Sequence, residues 1–474
     1  MNKLNFQRAS HAYLCKNAFL YKSYILRIQM NLRRNPRGFW RYVDSKRKNG
    51  AIPTSVFLNE TNAVSTTESC QLFAKHFSSI FDKSPASILE IAEATRDVPV
   101  DVVDLGLFTI NANMVILAAK KLKRSFVHGP DGLPAVIICR CIDALAQPLC
   151  DIFNRSFQQA KFPRIWKQSF MTPVFKRGDR HNVANYRGIT SLSSVSKLFE
   201  IIVRGIIYDV TKNYISFNQH GFMPGRSVTT NLLAFTSKCI TSMEERAQVD
   251  VIYTDLKAAF DKIDHNILLN KLSRLGFSVR LVSWLESYLT GRELRIKING
   301  SVSPPFSNMS GVPQGSNLGP LLFILFFNDA AFALGEGLKL IYADDLKLYI
   351  VALTEDDCRR LQNSLRLFAD WCRRNKLNIS VEKCQVITFH RIMHPILFNY
   401  CIDGEIINRV TNVTDLGVQL DTRMSFDLHR SAIILNIEKK NQIHTAGNHC
   451  IVHLFVQFWK TRQLYGILIR SRGA

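Results

Sequence analysis

Leu338–Ile350 reads LKLIYADDLKLYI, and its two halves decide the fold class. Leu338, Leu340 and Tyr342 alternate with Lys339 and Ile341; beyond the paired acids, Leu346, Leu348 and Ile350 alternate with Lys347 and Tyr349. Two period-two runs joined by a tight connection predict a β-hairpin with Asp344 and Asp345 at its tip. Flanks this apolar predict that the hairpin packs into a core. Adjacent carboxylates there repel one another and resist desolvation unless a cation compensates them. Acids are also ordinary turn residues, so the pair alone does not make a site.

A third acid changes that balance. VDVIYTDLKAAFDKIDHNILLNKLSRLGF, from Val249, opens as an apolar strand and reaches Asp255. The spacing then turns helical through Leu256, Ala259, Phe260, Ile263, Ile267, Leu268, Leu272 and Leu275, with Gly276 as the stop. Asp255 is therefore expected at a strand end that opens on a crevice. Asp261 and Asp264, on the helix, are expected to be solvated or locally paired.

A strand-end Asp, an aromatic five residues on and a Y-x-D-D hairpin about ninety residues later resemble the palm signature of reverse transcriptases. The likeness is to the polymerases of non-LTR (LINE-type, jockey-like) retrotransposons. It implies an α+β, right-hand polymerase fold with fingers and palm, the palm an antiparallel sheet with packed helices. It implies an RNA-directed DNA polymerase that adds dNTPs to the 3′-hydroxyl of a DNA primer on an RNA template. Asp255, Asp344 and Asp345 would then be the ligands of two Mg2+ ions, with Mn2+ able to substitute. Hard carboxylate oxygens suit Mg2+, which takes its remaining ligands from water and substrate phosphates.

The flanking motifs come in the family's order. Phe260 takes the position that closes on the sugar's 2′ carbon, which implies use of dNTPs; its helical spacing alone makes it a core residue. SGVPQGSNLGPLLFILFFNDA, from Ser310, sets glycines around Pro313 and Gln314 before a strongly apolar helix. Glycine lets backbone approach a ligand closely, and an amide both donates and accepts. Gln314 and Gly315 carry over to the loop against the nascent base pair. Upstream, in TPVFKRGDRHNVANYRGITSLSS, Lys176 and Arg187 match the basic positions that hold the triphosphate, with Gly188 where the commonest family form has Pro. Arg226, in QHGFMPGRS, matches a backbone or phosphate contact. Lys383 matches the lysine suggested to protonate pyrophosphate. Leu416 and Gly417, in VTDLGVQLD, match the strand turn that grips the primer end.

Bulk composition fits a nucleic-acid partner. The 474 residues hold 61 Lys+Arg against 38 Asp+Glu, a net charge of +23, and such an excess favours polyanions through counterion release. Apolar content of 47% supplies a large core and argues against wholesale disorder. The eleven cysteines are scattered without paired C-x2-C modules, which speaks against zinc modules and for reduced, mostly buried thiols. Leu318–Leu334 is the most apolar run, but Asn328 and Asp329 interrupt it, so a core helix is expected and no membrane partner. The expected location is intracellular, nucleus or cytoplasm, with no targeting signal evident.

Four regions are expected. Residues 1–83 form a basic, mostly helical N-terminal extension with Arg33, Arg34, Arg37, Arg41, Lys46, Arg47 and Lys48 around Phe39, Trp40 and Tyr42. Residues 84–120 are a linker, crossing the surface to about 105, and a leading helix. Residues 121–421 are fingers and palm, with a helix over Leu133–Gln159 and a strand near Phe170–Phe175. Residues 422–474 are a thumb, incomplete or degenerate past about Ile437. An endonuclease, which such elements carry before the polymerase, is not recognised in the chain. A partial genomic copy is therefore the expectation, with a catalytically dead nucleic-acid-binding remnant as the alternative function. By the same likeness, the FKRGD-to-NYRGI spacing and the FW-containing basic leader argue against an intron maturase or a telomerase.

Overall fold

In the computed structural model, residue 23 and residues 52–442 are described, apart from 83, 107, 336 and 337. The chain divides into two units, Thr54–Leu428 and the two ends, Met1–Pro53 with His429–Ala474. The basic leader around Arg33 to Lys48 and the part past 442 of the region expected to be a thumb lie outside the described residues. Both large sheets and the candidate site belong to Thr54–Leu428.

The strands that carry the architecture are β1 (Gln168–Phe175), β2 (Tyr186–Ser191), β3 (Gln248–Thr254), β4 (Glu293–Ile298), β5 (Leu338–Tyr342), β6 (Asp345–Ala352) and β7 (Gln385–Phe389). One sheet runs β7-β3-β6-β5, antiparallel throughout, with Asn408–Arg409 added parallel to β7. The other runs β2-β1-β4, with β1 and β4 parallel. In β3 both faces are covered, as its nearly unbroken burial shows. Ile252, Leu346, Leu348 and Val386 face a core built on the helices His265–Arg274, Val279–Leu289, Gly319–Phe327 and Glu355–Arg374. Val249, Val251, Tyr349, Ile387 and Phe389 face Phe235 and Cys239 of helix Val228–Glu244. The period-two alternation thus sorts side chains onto two apolar layers.

The apolar run is a buried helix, Gly319–Phe327, started by Pro320 at its first turn. Asn328 and Asp329 end it usefully. Asn328 accepts from Ser216 N–H and donates to the Tyr214 carbonyl, while Asp329 pairs with fully buried Lys271 at 2.8 Å. No helix among the described residues is long and apolar enough to cross a membrane.

Several expected boundaries move. The helix expected over Leu133–Gln159 is two, Ala135–Arg140 and Ile142–Gln158, broken at Cys141. The helical spacing after Asp255 is also split, into Ala259–Lys262 and His265–Arg274, because Asp264 caps the second piece through the N–H groups of Asn266 and Ile267. The hairpin tip is Ala343–Asp344, and Asp345 is already in β6, paired with Tyr342.

The 84–105 segment is not a bare linker. It holds the helix Ile88–Thr95, which Ser87 and Glu90 close with a capping box. Asp101 N–H then donates to Arg274 C=O (2.8 Å) and Val103 N–H to Leu275 C=O (2.9 Å). Gly276 makes this docking possible: its φ is +105°, and a Cβ there would lie 1.8 Å from the Val103 oxygen. Gly276→Ala is therefore expected to cost about 3 kcal/mol or more in denaturant unfolding, from left-handed strain plus the clash. A cost under about 1 kcal/mol would mean that the segment is not held as described.

Candidate active site

Register brings the acids together. Thr254 of β3 pairs with Leu346 of β6, so the next residues outward, Asp255 and Asp345, leave the ladder side by side on one face. Asp344 sits in the adjoining turn, where Ala343 has a φ of +60°. Gln219, 3% exposed, holds that turn: its Oε1 accepts from the N–H of Ala343 (2.9 Å) and of Gly221 (2.8 Å). Gly221 lies so close that a Cβ would stand 2.3 Å from the Ala343 nitrogen. Burial pushes the Asp344 carboxyl up, the Asp255 charge adds to this and Arg187 opposes it. Asp345, although it opens on solvent along one side, is pushed up to about 6 by partial burial and then by Asp344 and Asp255. These are carboxylates short of positive charge.

One lysine touches the acids, and two further cations stand on or directly beside the neighbouring sheet. Lys383, in the turn Val381–Lys383, places Nζ 3.2 Å from Asp255 Oδ2, with both side chains about two-fifths exposed. Arg187 stands on β2 opposite Val174, and Lys176 follows directly on β1. The Lys176 ammonium is pushed down by partial burial, then by the neighbouring charges of Arg187, Lys383 and Arg177, while Asp255 opposes the shift. Lys176, Arg187 and Lys383 thus act on one electrostatic space with Asp255. Gly188 is buried beneath, where any Cβ would displace the Met171 side chain.

Phe260 is half-buried, its ring stacked on Phe323 at 4.0 Å and 13° with Phe222 edge-on. The glycine loop folds onto the same turn of chain. Val312 N–H donates to Phe260 C=O (2.9 Å), Gly311 N–H to Ile263 C=O (2.7 Å) and Ser310 Oγ to Asp261 C=O (2.6 Å). Gln314 Nε2 reaches both Asp261 oxygens at 2.7 Å. Asp261 is pushed up to about 6, chiefly by burial, against which the Gln314 hydrogen bond acts. Gly315, with φ +83°, approaches the Thr190 carbonyl more closely than a Cβ would allow. Gly311 approaches the Asp261 backbone in the same way.

The residues of two other expected contacts lie elsewhere in the chain. Arg226 spends Nη1 on the carbonyls of Ser216, Phe217 and Gln219 and lies over the Phe217 ring, which ties it to the Gln219 loop. Leu416 (φ +46°) and Gly417 (φ +90°) form the two-residue turn between Asn412–Asp415 and Val418–Asp421. Gln219 and Asp261 are the residues that motif reading passed over as site residues. Both lie inside the motifs that begin at Gln219 and Val249, but their partners come from distant parts of the chain.

Among the described residues, no three Asp, Glu, His or Cys side chains are gathered around one point. The acids fit a divalent cation by chemistry instead. They are hard oxygen donors, adjacent by register and held in charge states that a cation would relieve.

An antiparallel sheet that presents acids at a central strand end and the neighbouring turn, with basic residues facing them from a second sheet, is the palm and fingers of a right-hand polymerase. Residues 174–420 match the model of the family described as reverse transcriptase (RNA-dependent DNA polymerase), and the chain belongs to that family. It is 27% identical over 431 residues to the probable RNA-directed DNA polymerase from transposon BS of Drosophila melanogaster, covering 85% of this chain and 47% of that protein. It is also 27% identical over 472 residues to the RNA-directed DNA polymerase from mobile element jockey of Drosophila funebris, covering 91% and 50%. A third relative, the Pol polyprotein from type-1 retrotransposable element R1 of Bradysia coprophila, is 25% identical over 315 residues, covering 64% of this chain and 30% of that protein. The likeness to non-LTR elements of the jockey type therefore holds across most of the chain. The chain spans about half the length, or less, of these curated relatives.

Proposed function

We propose that this protein is an RNA-directed DNA polymerase that adds dNTPs to a DNA primer 3′-hydroxyl on an RNA template. The observation that carries this reading is the β3–β6 register, whose last pair is Thr254 with Leu346, so that Asp255 and Asp345 follow one step beyond it, next to Asp344 in the turn before β6. These three would hold two Mg2+ ions, or Mn2+, which when bound supply Lewis-acid stabilisation of the attacking and leaving oxygens. Lys176 and Arg187 bind and orient the triphosphate, Arg187 through its planar fork. The Phe260 ring excludes a 2′-hydroxyl, and Gln314 with Gly315 backs the nascent base pair. Lys383 leaves Asp255 as substrate arrives and gives a proton to the departing pyrophosphate. The Leu416–Gly417 turn holds the primer end. Template and primer are drawn in by the excess positive charge.

The test is incorporation of dTTP on poly(rA)/oligo(dT) with Mg2+ by purified, folded protein, together with binding of the same duplex across a salt series. Incorporation that needs the divalent ion is the expected result. Steeply salt-dependent binding with no incorporation would overturn the enzyme reading in favour of a polymerase-dead, nucleic-acid-binding remnant.

A further inference from the structure

Two residues below the carboxylates, the same sheet face carries a second charged cluster. Lys347 and Tyr253 are direct cross-strand partners on β6 and β3. They stand two positions inside Asp345 and Asp255, so all four side chains leave on one face. Asp415 meets them from the next hairpin: Lys347 Nζ lies 2.5 Å from Asp415 Oδ2, and Tyr253 OH donates to the same oxygen at 3.1 Å. Lys347 and Asp415 side chains are only 5% and 3% exposed. Lys347 also lies over the Phe235 ring at 4.6 Å. Asp415 is the last strand residue before the Leu416–Gly417 turn.

Such a cluster adds little stability over well-packed apolar residues, because both charges are desolvated. What it adds is direction. Val413 and Leu420 of the same hairpin also pack on the sheet, but apolar contact tolerates sliding, whereas a charge-assisted bond fixes two atoms to within a few tenths of an ångström.

We propose that Tyr253, Lys347 and Asp415 form a strut of positioning residues that holds the Leu416–Gly417 turn in register with Asp255 and Asp345, so that the primer end and the catalytic carboxylates move as one body. This rests on the primer-contact role proposed for that turn. The strut touches neither substrate nor ion; it acts through the turn and the two strand ends.

The discriminating variant is the double replacement Lys347→Met with Asp415→Leu, which keeps the volume packed and leaves no unpaired charge, only the Tyr253 hydroxyl without its acceptor. It should unfold close to the wild-type temperature, yet exchange the amides of Asn412–Asp421 about tenfold faster while β3 keeps its protection. At saturating poly(rA)/oligo(dT), its kcat for dTTP should fall about tenfold through misplacement of the primer, with KM for dTTP within about twofold. Wild-type kcat in the double variant, or wild-type exchange in the hairpin, would overturn the proposal. If the double variant does not fold, Tyr253→Phe removes one hydroxyl and should move exchange and kcat in the same directions by about two- to threefold. A wild-type protein without incorporation would refute the polymerase reading, and the exchange measurement would still decide whether the strut holds the hairpin.

Discussion

Asp344→Asn is expected to lower dTTP incorporation by at least about 10³-fold while raising the unfolding temperature in the absence of divalent ions. The two effects share one cause. Burial and the neighbouring Asp255 raise the Asp344 carboxyl above its ordinary range, with Arg187 offsetting only part. A group whose folded pKa is raised contributes stability that is full below the unfolded pKa and lost as pH rises through the folded one. At neutral pH the ionised carboxyl therefore costs stability, and an amide of the same shape removes that cost together with the ligand. Asp345, pushed up to about 6 by burial and then by Asp344 and Asp255, extends the rule. Metal-free wild type should gain stability as pH falls from about 7 to about 5, and Mg2+ should add most stability at the upper end. Calorimetry with and without Mg2+ reads both signs. Incorporation by D344N at the wild-type rate would remove this carboxylate from the chemistry.

The second large effect is expected at the sugar. Phe260→Ala should raise the efficiency of UTP relative to dTTP, as a ratio of kcat/KM values, by roughly 10²-fold. The ring can act as a wall because it cannot turn away: Phe323 stacks on one face and Phe222 meets it edge-on. A stability cost of about 2 kcal/mol goes with it, since half the ring is already core. If the variant folds and the ratio is unchanged, Phe260 is only the core residue that its helical spacing suggests.

How much of this was legible depends on distance along the chain. The β5–β6 hairpin and the end of β3 were readable because alternation is local and each strand buries a defined face. The residue at the tip was not, because YADD offers more than one register and only the Tyr342–Asp345 pairing selects the two-residue turn. The Ser87–Glu90 capping box could have been read, since S-x-x-E is a local signal, yet the surrounding composition made the segment look like a linker. Asp261 faces the wrong way for simple helical periodicity: the loop from Ser310 folds back and buries it. Gln219 gives no periodic sign, for the turn it holds is 124 positions away. The strut has the same character, with Lys347 and Asp415 separated by 68 positions.

The backbone bonds from Ser310, Gly311 and Val312 to the chain around Phe260, with Gln314 on Asp261, have an evolutionary consequence. The wall proposed to reject the wrong sugar and the loop proposed to back the base pair share one piece of backbone, so neither can shift without carrying the other. A lineage bearing this site would not drift freely in one trait. Changes in sugar tolerance and in copying accuracy should be inherited together, and compensating mutations should fall within Phe260–Ile263 and Ser310–Gly315 more often than elsewhere.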